Sequence, residues 1–410
     1  MEWKENGANS GPHFHNGEPK EWLRIENAYQ RSTNQTPCGD RKWVDSEMAV
    51  TRLFESSCGM ADEFAKPKFD GKTFQNPDSF TTWKDPPSAG NPGSWRDFIK
   101  WKWDAKSTKL PNLKVLDQTL PVLKPRFQTD SRLSATWLGH ATLFVRIDGI
   151  SVLTDPVWAM FATPSFLPFF KFCPRFRPPP CKIEELPKID IVLISHNHYD
   201  HLDVVAVREL AQRFPHIIWV VPLGLKQLVQ HETNSKAVHE MNWGDRLELQ
   251  LNERTFEVFS VPAQHWSQRN LIDRNTSLWS GWLTKGPQHK FFFAGDTGLC
   301  ADEFRKLGVI HGPIDLSAIP IGAYEPRWFL APQHIDPKEA VQIHELVKSK
   351  KSIAVHWGTF EMGSYETYLE PREMLTKAVA AAGIEPEAFV TLKHGESWRI
   401  EKRDGGTDAQ

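Results

Sequence analysis

Three histidines and one aspartate lie within six positions of the sequence, at His196, His198, Asp200 and His201. They follow the continuous apolar run 189–195, which is typical of a strand buried on both faces. A sharp turn after such a strand would bring the four side chains into one space. Imidazole and carboxylate are the groups with which proteins bind zinc when thiolates are absent. Because crowding histidines without a metal is costly, the cluster predicts a metal site.

Further ligands for this site are available where three later apolar segments close, at His265, Asp296 and His356. Each of these residues, taken alone, is equally well explained as a structural residue of the fold. Together with the first cluster they amount to five histidines and two aspartates. That number of donors fills two zinc sites if one carboxylate bridges the ions.

The elements that must position these residues follow from the hydrophobic pattern of the chain. Two strands are predicted at 133–147 and 150–155, joined by Asp148-Gly149, which is a strong signal for a two-residue hairpin. Further strand patterns lie at 217–221, 247–251, 256–261, 278–283, 291–294, 316–321 and 353–355. Each candidate ligand beyond the first cluster therefore lies at or just after a strand.

Helices are predicted between several of these strands. One covers 204–214, and another begins after Ile335 with Asp336 as N-cap, Pro337 at the first helical position and Glu339 at the capping-box position. Strands and helices that alternate over some 270 residues indicate an α/β sandwich in one domain.

The chain divides into four regions by composition. Residues 1–73 are polar and are expected to be mostly disordered. Residues 74–132 form an irregular or helical lead-in that contains a candidate membrane-facing helix. The catalytic domain is expected at 133–400, and a polar tail at 401–410.

Composition limits the class of protein. The 410 residues carry 49 basic and 51 acidic side chains, and this balance gives no sign of a nucleic-acid partner. The five cysteines are scattered, which argues against a disulfide framework or a thiolate zinc site. No apolar signal core and no run of about 20 apolar residues is present, so any membrane contact is expected to be peripheral.

The motifs resemble a known family. The pattern H-x-H-x-D-H followed by a later His, Asp and His is similar to the metallo-β-lactamase superfamily. Within it, the chain resembles the N-acylphosphatidylethanolamine-hydrolysing phospholipase D family over roughly residues 120 to 400. The matching segments are 137–142, 153–156, 195–203, 291–298, 319–328, 356–360 and 392–396. The resemblance implies a metallo-β-lactamase fold, a four-layer αββα sandwich.

The resemblance also implies roles for individual residues and a cofactor of two Zn²⁺ ions per chain. It assigns His196, His198 and His265 to the first ion. It assigns Asp200, His201 and His356 to the second ion, with Asp296 bridging both. Asp200 and Asp296 are then catalytic as well. Tyr199 and His334 are implied to contact substrate, although His334 is also explained as a structural residue.

The implied reaction is hydrolysis of N-acylphosphatidylethanolamine to N-acylethanolamine and phosphatidic acid. A hydroxide held between two zinc ions would attack phosphorus, since metal binding lowers the pKa of water from about 15.7 to roughly 7. Neither an H-x-K pattern nor a G-x-S-x-G elbow is present in the sequence, so no covalent route is expected. Two alternatives stay open: a metallo-hydrolase acting on another phosphodiester or a lactone, and a non-catalytic lipid-binding module.

A membrane phospholipid is the expected partner, and two aromatic segments are candidates for reaching it. The first is an apolar loop whose residues Phe166, Leu167, Phe169 and Phe170 would enter the bilayer. Lys171, Arg175 and Arg177 would touch anionic headgroups. The second is a helix that carries Trp95, Trp101 and Trp103. Both segments are equally consistent with packing on the domain.

The resemblance further implies a homodimer and an intracellular, peripheral location on cytosolic membrane faces of the Golgi or endosomes.

Overall fold

Two β-sheets stack face to face in the computed structural model of the chain. The structure describes residues 51–54, 64–83, 100, 110–163 and 173–400, with the backbone alone described at 51–54. Contacts divide the chain into residues 1–43 and a compact unit of residues 44–410, and every described residue belongs to the second.

The first sheet has seven strands in the order β17–β4–β5–β6–β7–β8–β9. Their bounds are β4 Leu133–Gly139, β5 Thr142–Ile147, β6 Ile150–Thr154, β7 Ile191–Leu193, β8 Ile218–Pro222, β9 Val238–Met241 and β17 Ser397–Arg399. The strands from β6 to β9 run parallel, whereas β17, β4, β5 and β6 pair antiparallel.

The second sheet has eight strands in the order β1–β10–β11–β12–β13–β14–β15–β16. Their bounds are β1 Thr51–Phe54, β10 Arg246–Leu251, β11 Arg254–Val261, β12 Gly281–Lys285, β13 Lys290–Phe293, β14 Leu316–Pro320, β15 Ser352–Val355 and β16 Phe389–Val390. Pairing is antiparallel up to β13 and parallel from β13 to β16. A separate short hairpin joins β2 Lys68–Phe69 to β3 Phe74–Gln75.

Helices cover the outer faces of both sheets. The described helices are α1 Leu113–Thr119, α2 Val204–Arg213, α3 Lys226–Thr233, α4 Ala301–Ile310, α5 Arg327–Leu330, α6 Pro337–Leu346 and α7 Glu370–Ala381. Apolar residues of α2 and α3 pack on the seven-stranded sheet, and those of α4, α6 and α7 belong to the other core cluster. The result is the four-layer αββα sandwich that the sequence predicted.

Alternating side chains explain why the first sheet is apolar on both faces. In β7, Ile191 and Leu193 belong to the core between the sheets, while Val192 belongs to the core beneath α2 and α3. Successive side chains of a strand point to opposite faces, so a strand buried on both sides must be apolar throughout. This explains the continuous apolar run that precedes the histidine cluster.

Two details differ from the predicted elements. The stretch expected as one strand at 133–147 is two strands, because Gly139 and His140 both take positive φ and turn the chain. The strand expected at 278–283 begins only at Gly281. By contrast, the predicted start of α6 is confirmed, since the Asp336 carboxylate accepts from two first-turn N–H groups and Glu339 completes the capping box.

Order extends into the polar N-terminal region. Thr51–Phe54 pairs with β10, and Phe64, Phe74 and Phe80 are buried members of the larger hydrophobic core cluster. The bounds of the four expected regions stay a prediction, because much of 1–132 and all of 401–410 lie outside the described residues. Among the residues that are described, no helix combines the length and the apolar character needed to cross a bilayer.

Of the residues expected to touch the membrane, most lie outside the described part of the chain and two are buried. Phe166, Leu167, Phe169 and Phe170, like Trp95, Trp101, Trp103 and Lys171, lie outside the described residues. The expectation that Arg175 and Arg177 reach headgroups is wrong, because both side chains are buried. Arg175 donates to the carbonyl of Val157 at 2.7 Å, and Arg177 pairs with Asp117 at 2.8 Å.

Candidate metal centre

The candidate ligands meet at one edge of the sandwich. The strands β11, β13, β14 and β15 point the same way in their sheet, and β6, β7 and β8 are parallel in the other. The loops that follow these strands therefore leave from common edges, where open α/β sheets bind ligands. The loop after β7 carries the histidine cluster, and His265, Asp296 and His356 follow β11, β13 and β15.

Three histidines form an all-nitrogen cluster, here called the nitrogen group: His196, His198 and His265. The Nε2 atom of His196 lies 2.7 Å from Nδ1 of His198, and Nε2 of His265 lies 3.3 Å from the same atom. The donor atoms of all three fall within 4.8 Å of one another. A shared metal ion is the simplest reason for three ring nitrogens to converge.

Four residues form a second cluster, here called the carboxylate group: His140, Asp200, His201 and His356. The Oδ2 atom of Asp200 lies 2.9 Å from Nε2 of His140, 3.4 Å from Nε2 of His201 and 3.5 Å from Nε2 of His356. The sequence left His140 outside the ligand set, and the structure places its ring against the Asp200 carboxylate.

Asp296 lies between the two groups. Its Oδ2 atom is 3.1 Å from Nε2 of both His201 and His356 in the carboxylate group. The same oxygen is 3.7 Å from Nε2 of His265 and 3.9 Å from Nε2 of His196 in the nitrogen group. One carboxylate thus faces donors of both groups, which is the position expected of a bridging ligand.

Hydrogen bonds on the outer side of the rings fix how they face the centre. Asp155 Oδ2 accepts from Nδ1 of His201 at 2.6 Å and from the Ser195 hydroxyl at 2.6 Å. The Ser195 oxygen then lies 2.9 Å from Nδ1 of His196, where it can accept. With Nδ1 donating outward, Nε2 of both rings keeps its lone pair for a metal.

One further candidate ligand, His265, is supported in the same manner. Nδ1 of His265 lies 3.0 Å from the carbonyl oxygen of Gln333, which leaves its Nε2 directed inward. The carbonyl of His265 itself accepts from the amide of Asn76 at 2.8 Å. The lead-in segment thus helps to hold a metal ligand in place.

Asp155 is a functional residue that the sequence reasoning did not single out. It closes β6 at the same edge as the ligands and is fully buried. Its segment, Leu153 to Pro156, was among the matching motifs, so an aspartate at a strand end within a matched motif was the available signal.

The backbone is strained where the site is built. Asp155, His140 and His356 have φ values of 30°, 49° and 60°, which non-glycine residues rarely adopt. Such conformations persist only where the surrounding structure holds them. Beside Asp296, Gly295 has φ 63°, and a Cβ there would lie 2.7 Å from the Cβ of Ser195. Only glycine lets these two strand ends approach so closely.

Electrostatics differ between the groups. Burial, reinforced by neighbouring imidazoles, holds the pKa of His196 well below its ordinary value. Burial likewise lowers the pKa of His198 to about 4 and that of His265 to about 3. These rings are neutral at neutral pH, which is the form in which imidazole binds a metal.

In the carboxylate group, burial dominates only at His140, whose pKa it lowers to about 3, and opposite charges outweigh burial at the other members. Burial alone would raise the pKa of Asp200 and Asp296, but the facing histidines hold both well below the ordinary range. Burial would lower the pKa of His356, yet Asp296 and Asp200 raise it to about 9. The same carboxylates hold the pKa of His201 well above its ordinary value. A divalent cation would replace these protons as the partner of the carboxylates.

Buried polar atoms without hydrogen-bond partners also indicate that these residues fit a metal ion. In the described part of the structure, five buried atoms of the proposed ligands lack a partner in hydrogen-bond geometry: His198 Nε2, His201 Nε2, Asp296 Oδ1 and both ring nitrogens of His356. Buried polar atoms are nearly always paired, so unpaired ones call for an explanation. For His201, His356 and Asp296, coordination of an ion would supply the missing partner.

The two residues expected to contact substrate lie at this centre. Tyr199 is half-buried, and its hydroxyl donates to the carbonyl of Arg269 at 2.6 Å. His334 lies next to Asp296, with Nδ1 at 3.9 Å from Oδ2, and burial lowers its pKa to about 3. The helix end beyond it is already capped by Asp336, so those N–H groups are not free for a phosphate.

A small cleft of about 50 Å³ opens beside His140 and His356. Its lining includes the apolar side chains of Phe176, Phe360 and Met362. The site thus combines a charged centre with an apolar wall, as sites for amphiphilic ligands do.

Comparison with known proteins places this architecture in a family. The Beta-lactamase superfamily domain matches residues 151–357. The N-acyl-phosphatidylethanolamine-hydrolyzing phospholipase D 1 of Caenorhabditis elegans is 46% identical over 352 residues, which cover 83% of this chain and 96% of that protein.

A second relative and one solved structure agree with this placement. The mitochondrial N-acyl-phosphatidylethanolamine-hydrolyzing phospholipase D of Saccharomyces cerevisiae is 33% identical, over 70% of this chain and 60% of that protein. A structure described as a possible metal-dependent hydrolase from Veillonella parvula superposes with a TM-score of 0.50 at 17% identity, covering 66% of this chain and all of that one, and shows the fold alone. The chain therefore belongs to the N-acyl-phosphatidylethanolamine-hydrolyzing phospholipase D family of the β-lactamase superfamily, and it is a hydrolase of the metallo-β-lactamase fold.

Proposed function

We propose that this protein is a zinc-dependent phosphodiesterase of the phospholipase D type. It hydrolyses N-acylphosphatidylethanolamine to N-acylethanolamine and phosphatidic acid. One observation carries the proposal: Asp296 Oδ2 faces the Nε2 atoms of His201, His356, His265 and His196, at 3.1 to 3.9 Å. The substrate is supported by the family, since the C. elegans relative that bears this activity in its name aligns along nearly its whole length.

The ligand assignment follows the two groups. His196, His198 and His265 would hold one ion, and Asp200, His201 and His356 would hold the other, with Asp296 between them. We assign His140 to orienting Asp200 rather than to the metal, because its Nε2 lies 2.9 Å from the carboxylate and within hydrogen-bond distance. Nitrogen-rich donors with carboxylates and without thiolates favour zinc.

The chemistry of the reaction divides between cofactor and protein. Two bound zinc ions would supply Lewis acidity and activate water as a nucleophile at neutral pH. Water oxygen joins phosphorus, the bond from phosphorus to the N-acylethanolamine oxygen breaks, and that oxygen takes up a proton. Asp200 and Asp296 stay ionised at neutral pH, since the facing histidines hold the pKa of both well below the ordinary range.

Other residues would position the lipid. His334 is next to Asp296 and within reach of a phosphodiester at the centre. Tyr199 would act through Arg269, because its hydroxyl proton is already donated to that carbonyl. A bilayer substrate also supports peripheral attachment to cytosolic membrane faces, such as Golgi or endosomal membranes. A homodimer is part of the same proposal.

Two other functions remain as outcomes of the test. A hydrolase of this fold acting on another phosphodiester or a lactone would use the same ligands. A non-catalytic lipid-binding module would need no metal, and the convergence of seven donor residues argues against it.

The test uses the purified full-length chain with N-acylphosphatidylethanolamine in vesicles. Metal content is determined by elemental analysis, and both products are measured before chelation, after chelation and after zinc is restored. We expect His356→Ala to lose metal and turnover together. The matched control is His216→Ala, which removes an exposed ring outside the centre. A chain that binds no divalent ion, or that cleaves a nuclease substrate but not this lipid, would overturn the proposal.

A further inference from the structure

Two adjacent apolar side chains stand out of the surface at Leu271 and Ile272, which are 95% and 81% exposed. They are the most exposed large hydrophobic residues in the described part of the chain, ahead of Leu113 at 70% and Val309 at 68%. Single exposed aliphatic residues are common, but neighbouring ones on an otherwise polar loop mark a contact surface.

Hydrogen bonds within the loop hold this pair outward. The Asp273 carboxylate accepts from the backbone N–H of Arg269 at 3.0 Å and of Asn270 at 2.8 Å. The Asn270 side chain accepts from the N–H of Ile272 at 2.9 Å. The exposure of Leu271 and Ile272 is therefore a property of an ordered turn.

The loop is fastened to the residues that bind metal. Nη1 of Arg269 donates to the carbonyl of Asn197, within the histidine cluster, at 2.9 Å and to that of Leu202, just after it, at 2.8 Å. The same guanidinium lies over the Tyr199 ring, 4.2 Å from its centroid. Because the half-buried Arg269 makes these contacts, Leu271 and Ile272 are held at the rim of the metal centre.

Other features of the rim suit a lipid surface. The guanidinium of Arg274 lies 4.7 Å from the ring centroid of Trp266, the residue after the ligand His265. A cation beside an aromatic ring and exposed aliphatic groups matches the headgroup region of an anionic bilayer. Met160, which is 49% exposed, lies just after Trp158 and Ala159, whose N–H groups bind the Asp203 carboxylate two residues beyond the histidine cluster.

We propose that the loop of residues 269–275 is a membrane contact that inserts Leu271 and Ile272 between phospholipid headgroups and brings the metal centre to the bilayer. This inference rests on the proposed lipid substrate. Two side chains are too little for a protein partner, since stable protein interfaces bury about 1,200–2,000 Å² in total. They suffice to help hold an enzyme at a bilayer, where each buried aliphatic side chain contributes separately.

The experiment compares the unaltered chain with Leu271→Asp/Ile272→Asp in co-sedimentation with vesicles of phosphatidylcholine and phosphatidylserine. We expect the double variant to bind at least about tenfold more weakly, since burying one such side chain is worth about a factor of ten or more. Leu271→Phe/Ile272→Phe should bind as well as the unaltered chain or better. The matched control is Val309→Asp, an exposed aliphatic position on α4, and it should bind normally.

Two readouts separate this inference from the proposed function. Turnover of a dispersed short-chain N-acylated phospholipid should be unchanged in the Asp double variant, whereas turnover in vesicles should fall with binding. Loss of turnover on every N-acylated phospholipid by the unaltered chain would count against the proposed function alone. Unchanged vesicle binding of the Asp double variant would overturn the membrane contact, and so would a shift in oligomeric state in place of a shift in vesicle binding.

Discussion

The nitrogen group and the carboxylate group face each other across Asp296 and are built on different principles. The nitrogen group consists of neutral rings, because burial lowers the pKa of His198 to about 4 and of His265 to about 3. The carboxylate group, apart from the neutral ring of His140, consists of ion pairs, because Asp296 and Asp200 raise the pKa of His356 to about 9. One half is ready for a metal as it stands, whereas the other must release protons to bind one.

Hydrogen bonds on the outer side of the rings connect the nitrogen group to the carboxylate group. Asp155 binds Nδ1 of His201 directly and reaches His196 through the Ser195 hydroxyl. A single buried carboxylate thus orients one ligand in each group. The two groups therefore differ in charge but depend on the same buried carboxylate for the orientation of their rings. Three changes to the chain or its conditions test this difference and this shared dependence.

The largest effect is expected from Asp296→Asn, which replaces the carboxylate that faces both groups. The amide keeps the shape of the side chain but lacks the negative charge that two bridged metal ions require. Both groups should therefore lose metal. We expect activity to fall by on the order of 10³-fold. Metal content and initial rates on N-acylphosphatidylethanolamine measure this. A variant that loses one ion and keeps the other would show that the halves do not share the residue.

A smaller effect is expected from Asp155→Asn, because it changes an outer partner and not a ligand. Loss of such partners typically costs about 10–100-fold in metal affinity or activity. Ser195→Ala is the matched comparison, since it cuts the link to His196 but leaves the bond from Asp155 to His201. Competition with a chelator should show that Asp155→Asn weakens both ions and Ser195→Ala mainly one. Equal effects of the two variants on both ions would contradict the shared support.

The smallest effect concerns the pH dependence of the metal-free chain. The raised pKa of His356 stabilises the fold fully below its ordinary value of 6.5, and this stabilisation is lost as pH rises through about 9. The lowered pKa of His198 acts on the acid side, where stability is lost as pH falls from 6.5 towards about 4. We expect changes of about 1–2 kcal/mol in the free energy of unfolding on either side.

Thermal unfolding of the chelated chain across this range, compared with the zinc-loaded chain, checks the pH prediction. The chelated chain should be most stable near neutral pH, and the loaded chain should vary less on the alkaline side because ions have replaced the protons. A chelated chain whose melting temperature does not change with pH would refute the opposite behaviour of the two groups.

The sequence predicted the sandwich because its periodicities are strong and local. The apolar run before His196 and the capping box at Asp336 depend on neighbouring residues, and both predictions are confirmed. The structure also brings the seven candidate ligands together, because all of them follow the C-terminal ends of strands at one edge of the sandwich.

Features that depend on distant contacts were not predictable in this way. The turn at Gly139 and His140 needs the positive φ that packing against Thr359 maintains, and the N–H of His140 donates to the Thr359 hydroxyl at 2.7 Å. Arg175 looks like a surface residue in sequence, yet its guanidinium donates to the carbonyls of Val157 and Ala159 and lies 4.7 Å from the ring centroid of the remote Phe360. Such pairings arise only when remote segments fold together.

The hydrogen bond from Asn76 to the carbonyl of His265 gives the segment before the catalytic domain an influence on the reaction. This segment is clamped from other sides too, since Thr82 binds Gln264 at 3.0 Å and Ala65 binds Glu303 at 2.9 Å. Shortening or exchanging the lead-in would loosen the position of His265, a proposed zinc ligand, even though every proposed ligand is still present. Natural variation in this stretch is therefore a route to tuning turnover without touching the metal-binding residues.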